Sequence, residues 1–165
     1  MPDTLRKVTA YTDGGCKKPG TPSSYAFLVR CEQPKFSTGV VGLLLPGTNN
    51  TGELTAFISL MRFLGSQPCD LTVYADSQYV TKGVSEWLPT WKARQWRKSN
   101  GKPVLNLDLW LEVDKLIQPH TINMLWVPGH TGNSDNEWCD RMCTEAMSEI
   151  DKNPPPWEKT VFVEE

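Results

Sequence analysis

Between residues 7 and 13, Val8, Ala10 and Thr12 alternate with Thr9, Tyr11 and Asp13 ahead of Gly14-Gly15. That period-two pattern predicts a β-strand carrying a carboxylate to its end. A proline- and glycine-containing stretch at 16–24 reads as a loop. Strands follow at Tyr25–Cys31 and from Lys35 to Leu45, with Glu32-Gln33-Pro34 as the turn, so the first three strands form an antiparallel meander. The apolar spacing then becomes helical at Leu54, Phe57, Ile58, Met61 and Leu64, behind the cap candidates Thr48-Asn49-Asn50-Thr51. Gly65 and Pro68 end that helix, and the β-branched run from Asp70 closes on a second terminal acid, Asp76. Strand, helix and strand in this order predict parallel pairing of the first and fourth strands. From Val80 to Trp96 the pattern is helical but interrupted at Gly83 and Pro89, which predicts two short helices before a protruding loop through Asn100-Gly101-Lys102-Pro103. An amphipathic helix from Leu105 to Ile117, a fifth strand at Thr121–Val127, a flexible loop at 128–135 and a last helix from Asn136 to Ile150 complete the pattern. Pro154-Pro155-Pro156 opens a tail, 154–165, expected to be extended or partly disordered, which leaves 1–153 as the domain. The expected fold is α/β, a mixed five-stranded sheet of three antiparallel strands followed by parallel ones, flanked by helices.

At 165 residues the chain is one domain's worth, and no apolar run approaches the ~18 residues of a membrane span. The N-terminus lacks the apolar core of a signal peptide, so a cytoplasmic protein with no membrane association is expected. Five widely spaced cysteines are an odd number and do not read as a disulfide framework. Cys139 and Cys143 fall one helical turn apart, but two histidines and no second close cysteine pair leave no zinc set, and both read as small buried hydrophobes. The net charge of −2 is uninformative until its distribution is considered. No acid lies between Glu86 and Asp108, while Lys92, Arg94, Arg97, Lys98 and Lys102 share that interval with Trp87, Trp91 and Trp96. Such a block fits a polyanion-binding element; the alternative is tryptophans in the core and cations on a solvated face.

Four acids are candidates for chemistry. Asp13 and Asp76 end strands predicted to be adjacent and parallel, where ligands of open α/β sheets collect. Asp-Gly-Gly is also what a tight turn uses, and Asp76 could cap the helix that follows. Glu53, placed in the first turn of its helix, either answers the helix dipole or points inward to meet Asp13. Asp140 lies near the start of the last helix. Acids gathered at one point repel one another unless cations neutralise them, and all-oxygen ligation suits magnesium or manganese. A pair of such ions supports phosphodiester hydrolysis. His130, between glycines in a loop, has no apolar face to pack on.

Tyr11-Thr12-Asp13-Gly14-Gly15, Thr48-Asn49-Asn50 with Glu53-Leu54, Ala75-Asp76-Ser77-Gln78-Tyr79-Val80, and Gly129-His130-Thr131-Gly132 with Asn136-Glu137 and Cys139-Asp140 resemble the signature blocks of type 1 ribonuclease H. The likeness runs in order from about Val8 to Met147, and Trp87, Trp91, Trp96, Lys102-Pro103-Val104 and Asp108-Leu109-Trp110 are similar to the basic protrusion of the bacterial branch. The resemblance implies a ribonuclease H-like fold in a monomer. It implies an endoribonuclease that cuts the RNA strand of RNA/DNA hybrids, leaving 5′-phosphate and 3′-hydroxyl ends, with two Mg²⁺ (or Mn²⁺) ions per active site. By matched position, Asp13, Glu53, Asp76 and Asp140 would be metal ligands, with Asp13 bridging, and His130 would assist proton movement or product departure. Thr48 matches a DNA-phosphate contact, Asn49 falls in the same block, and Asn50 and Gln78 match contacts to the hybrid near the cut. Trp87, Trp91, Lys92, Arg94, Trp96, Arg97 and Lys98 would bind the hybrid through the protrusion. The chain departs from the pattern at Lys17-Lys18-Pro19, at Pro46-Gly47 where an arginine is common, and at Trp138. An actin- or sugar-kinase-like phosphotransferase would need a second lobe that 165 residues do not hold. A catalytically silent hybrid-binding module would have lost an acid, and all four are present.

Overall fold

The structure is a computed structural model describing residues 5–128 and 132–164. Six strands form one mixed sheet: β1 (Arg6–Cys16), β2 (Thr21–Glu32), β3 (Lys35–Gly47), β4 (Cys69–Ala75), β5 (Thr121–Trp126) and β6 (Trp157–Val161), in the spatial order β5-β4-β1-β2-β3-β6. The pairs β1–β2 and β2–β3 are antiparallel, while β1–β4 and β4–β5 are parallel, as strand–helix–strand order requires. The sheet therefore has one strand more than the pattern predicts. Part of the stretch set apart as a tail, Trp157–Val161, pairs antiparallel with Gly39–Leu43 of β3. That pairing satisfies an edge that would otherwise be open, a non-local gain invisible to a local pattern.

Helix α1 (Asn49–Leu64) crosses from β3 to β4 and buries Leu54, Phe57, Ile58, Met61 and Leu64 against one face of the sheet. There they meet Val8 and Ala10 of β1, Phe27, Val29 and Cys31 of β2, and Cys69, Leu71 and Val73 of β4. Helix α5 (Ser134–Ser148) covers the opposite face, where Cys139, Cys143 and Ala146 pack on Ala26, Leu28, Val41 and Leu43. All five cysteines are free, and four, including Cys139 and Cys143, are buried. Strand β2 lies under both layers, so residues of both parities are buried from Ser23 to Val29.

Gly83 and Pro89 do not interrupt the second helical stretch as predicted. Helix α2 (Gln78–Lys82), a π-helical turn (Gly83–Trp87) and α3 (Leu88–Ala93) follow one another without a break. Gly83 is helical, and a Cβ there would collide with the indole of Trp110. Pro89 sits in the first turn of α3, where a proline nitrogen costs no hydrogen bond, because the wider π spacing sends the Leu88 N–H back to Gly83 O. Helix α4 (Leu107–Ile117) then drives the fully buried Trp110 into the α1 side of the core.

Candidate active site

The site is built where the parallel β1–β4 ladder stops at Thr12 and Ala75 and α1 begins; β1 itself runs past Asp13 to Cys16, still paired with β2, so Asp13 does not end its strand as the pattern predicts. Gly14 and Gly52 bring β1 and α1 into backbone contact: a Cβ on Gly14 would lie 2.5 Å from the carbonyl of Gly52, and one on Gly52 would lie 2.8 Å from Gly15 N. The space beside Gly14 is thus filled by the helix rather than left for a ligand. Helix α1 starts at a capping box in which Thr48 Oγ1 accepts from Thr51 N (3.1 Å) and Thr51 Oγ1 accepts from Thr48 N (2.8 Å). Glu53 consequently lies beyond the first turn, which holds no acid, and the reading of Glu53 as a first-turn partner of the helix dipole is set aside. Its side chain is buried and turned toward Asp13. Strand β4 ends at Ala75, and Ser77 rather than Asp76 caps α2, accepting from Val80 N at 3.2 Å. Asp76 is held by its own backbone, whose carbonyl accepts from Trp126 Nε1 at 3.1 Å.

Carboxylate oxygens of Asp13, Glu53 and Asp76 lie within 4.8 Å of one another. Asp13 and Glu53 are 5% and 8% exposed. Asp13 Oδ1 accepts from Gly14 N at 2.8 Å, but Glu53 Oε2 and Asp76 Oδ1 are buried and meet no donor. Burial raises all three carboxyl pKa values. The Asp13 carboxyl, pressed also by the charges of Asp76 and Asp140, is pushed up to about 8. Glu53 is driven well above the ordinary range by burial and then by Asp13 and Asp76, and Asp76 is raised mainly by burial. Acceptor oxygens without donors, in a cluster that resists losing its protons, fit a divalent cation taking their place.

Asp140 stands on α5, exposed and outside the trio, and with Asp13 it lines a cleft of about 330 Å³ that also includes Gly15, Lys17, Cys143 and Met147. His130 lies outside the described residues. Among the residues matched to substrate contacts, Thr48 spends its hydroxyl on the capping box, and Asn49 Oδ1 accepts from Cys16 N at 2.7 Å, pinning the β1 end to α1. Asn50 is half-buried at the start of α1 and Gln78 is exposed at the start of α2. Trp87, Trp91 and Trp96 are all half-buried: Trp91 meets the buried Trp110 edge-on at 5.1 Å, Trp87 meets Tyr79 at 5.8 Å, and Trp91 and Trp96 pack against the core. They build the protrusion, while Arg94, Arg97 and Lys98 stand exposed on it and Lys92 pairs with Asp114 at 3.3 Å. Pattern reading misses Gly52 and Asn49 as builders of the site, although a glycine early in a helix is itself a local anomaly.

The RNase H family profile matches residues 5–148. The ribonuclease H of Cupriavidus necator is 46% identical over 148 residues, spanning 88% of this chain and 99% of its own length. This chain belongs to the ribonuclease H family. As a ribonuclease H it is a hydrolase, and its relatives include the ribonuclease HI of Pasteurella multocida, 39% identical over 83% of this chain and 87% of that protein. Among solved structures, LC9-RNase H1, a type 1 RNase H with the type 2 active-site motif, superposes with a TM-score of 0.79 at 25% identity, covering 90% of this chain and 75% of its own. The foamy viral protease-reverse transcriptase in complex with RNA/DNA hybrid shares the fold at a TM-score of 0.68 and 17% identity, over 88% of this chain and 20% of that one. No helix among the described residues is long and apolar enough to cross a membrane.

Proposed function

We propose that this ribonuclease H is a monomeric endonuclease that hydrolyses the RNA strand of RNA/DNA hybrids by a two-metal-ion mechanism, leaving 5′-phosphate and 3′-hydroxyl ends. The observation that carries the reading is the trio of buried Asp13, buried Glu53 and half-buried Asp76, with donor-free oxygens on the last two. Asp13, which also lines the cleft, would hold the ions together with Glu53 and Asp76, and Asp140 on α5 would be the fourth ligand. When bound, a pair of Mg²⁺ or Mn²⁺ ions supplies activation of the attacking water and stabilisation of the departing 3′-oxygen. The chain's own residues hold and orient. The carboxylates fix the site, Asn50 and Gln78 border the hybrid at helix starts beside it, and His130 serves proton movement or product release. Arg94, Arg97 and Lys98 meet the phosphate backbone at a distance from the cut. Recognition by shape and 2′-hydroxyls gives little sequence preference.

The test is cleavage of end-labelled RNA/DNA hybrid, double-stranded DNA and double-stranded RNA, each with magnesium and with chelator. Only the hybrid with magnesium is cut, in its RNA strand. Asp13→Asn lowers the rate by about a thousandfold or more while hybrid binding is retained. Equal cutting of hybrid and double-stranded DNA defeats the proposal, and binding without cutting by the unaltered chain returns it to a silent binding module.

A further inference from the structure

Helix α5 carries Asp140, and the apolar side chains it buries fully against the sheet, Cys139, Cys143 and Ala146 at successive turns, are small, with Trp138, Met142 and Met147 packing partly buried at their margin. Such a face permits close approach but resists sliding and rotation poorly. The thiols of Cys139 and Cys143 reach Tyr11 O (3.5 Å) and Asp13 O (3.8 Å) only as weak donors, and two stronger contacts resist these movements. One is Trp138, whose ring fills the notch over Gly39, where a Cβ would collide with it. The other lies at the start of the helix, where Arg30 of β2 grips Asp135 with both arms of its fork, Nε to Oδ2 and Nη2 to Oδ1, each at 2.9 Å. The remaining arm, Nη1, donates to Ser37 Oγ and to Glu164 O, both at 2.9 Å, so the fork is itself held by β3 and by the chain's last described residue. The two side chains are 29% and 18% exposed, shielded enough for a bidentate pair to fix geometry as well as add energy.

We propose that Arg30 is a positioning residue for Asp140, acting through Asp135. Asp140 follows Asp135 by five residues, about 7.5 Å along the helix axis at 1.5 Å per residue. Asp13 and Glu53 are locked by backbone contact at Gly14 and Gly52. Asp140 is joined to β1 through its helix by the weaker Cys143 Sγ to Asp13 O contact, 3.8 Å long, rather than by backbone packing, and its distance from Asp13 follows the position of α5. The Arg30–Asp135 fork sets that rest position, and with it the completeness of the cation site. The inference rests on the reading of Asp140 as a fourth ligand.

The experiment measures the half-saturating Mg²⁺ concentration both from the Mg²⁺-induced rise in melting temperature of the protein alone and from cleavage of an RNA/DNA hybrid well below that temperature, together with the rate at saturating Mg²⁺. The variants are Arg30→Met, Arg30→Lys, Asp135→Asn, the double variant R30M/D135N, and Asp140→Asn. Arg30→Met and Asp135→Asn should each raise the half-saturating Mg²⁺ concentration by about tenfold, with a smaller effect on the saturated rate. Arg30→Lys, which keeps the charge and loses the fork, should fall between, and the double variant should match the worse single one, because both remove one linkage. Lowered melting temperature with unchanged cation dependence in the Arg30 and Asp135 variants, while Asp140→Asn shifts it, overturns the linkage alone. Unchanged cation dependence in Asp140→Asn overturns the ligand assignment, and the positioning role with it.

Discussion

Asp13 binds its proton more tightly in the folded chain, where its carboxyl titrates near 8, than in the unfolded one, where the value is ordinary. Between about pH 4 and pH 8 the native state therefore holds more protons, and stability falls as pH rises through that window. The raised values of Glu53 and Asp76 add in the same direction. The metal-free protein should lose melting temperature from pH 5.5 to pH 8, and magnesium should restore more at pH 8 than at pH 5.5, since a cation competes with protons for the same oxygens. Asp13→Asn should flatten both dependences; a thermal melt series with and without chelator reads them. A second residue-scale prediction concerns the protrusion, where Gln95 and Trp96 adopt φ of 56° and 63°, a region that disfavours side chains. Gln95 is exposed, so Gln95→Gly should stabilise the chain by about 1 kcal/mol, measured by denaturant unfolding, with no loss of cleavage.

At the scale of elements, the site depends on how closely α1 approaches β1. Gly52→Ala would put a Cβ 2.8 Å from Gly15 N and 3.1 Å from Ser24 O, neither of which is a flexible side-chain end. The expected cost is about 1–3 kcal/mol of stability, together with a fall in cleavage because Glu53 moves with its helix. The basic protrusion makes a separate prediction. Replacing Lys92, Arg94, Arg97 and Lys98 together should weaken hybrid binding and flatten its dependence on salt, by about 0.9 in log–log slope for each phosphate no longer neutralised. Lys92 already neutralises Asp114, so the change should come from the other three. An unchanged slope would make this block a solvated face only.

These elements also show what the sequence makes legible. The strands carrying Asp13 and Asp76, and a helix with Thr48 as its cap and Leu54 to Leu64 as its stripe, announce themselves because burial on one face imposes a period on neighbouring residues, whereas Gly14-Gly15 hides the run of β1 on to Cys16. Glu53 is harder to place within its helix, since cap geometry decides which residue counts as first. The continuity of residues 78–93 is hidden because Gly83 and Pro89 read as breakers locally, whereas Trp110, far along the chain, fills the space beside Gly83 and a π turn removes the need for the Pro89 N–H. The three tryptophans look too numerous for an interior stripe, yet Trp91 and Trp96 pack against the core together with Trp110.

For the whole molecule, the least legible feature is β6. The stretch Trp157–Val161 has no stronger local pattern than a loop, and its partner lies in β3, more than a hundred residues earlier. The segment is joined to the body by polar links as well as by its ladder: Glu158 Oε1 accepts from Tyr25 Oη (2.9 Å) and Ser59 Oγ (2.5 Å), and Val163 is buried against the α5 side of the sheet. One sheet thus carries Asp13 on β1 and Asp76 just past β4, where the ladder between those strands stops, with Glu53 on a helix over one face and Asp140 on a helix over the other. The measurement that tests this convergence most directly is anomalous scattering from Mn²⁺ in crystals of the Asp140→Asn variant with bound RNA/DNA hybrid. Manganese density is expected among the carboxylates of Asp13, Glu53 and Asp76. Manganese ordered elsewhere, with none among those three side chains in a protein whose unaltered form cleaves the hybrid, would contradict it.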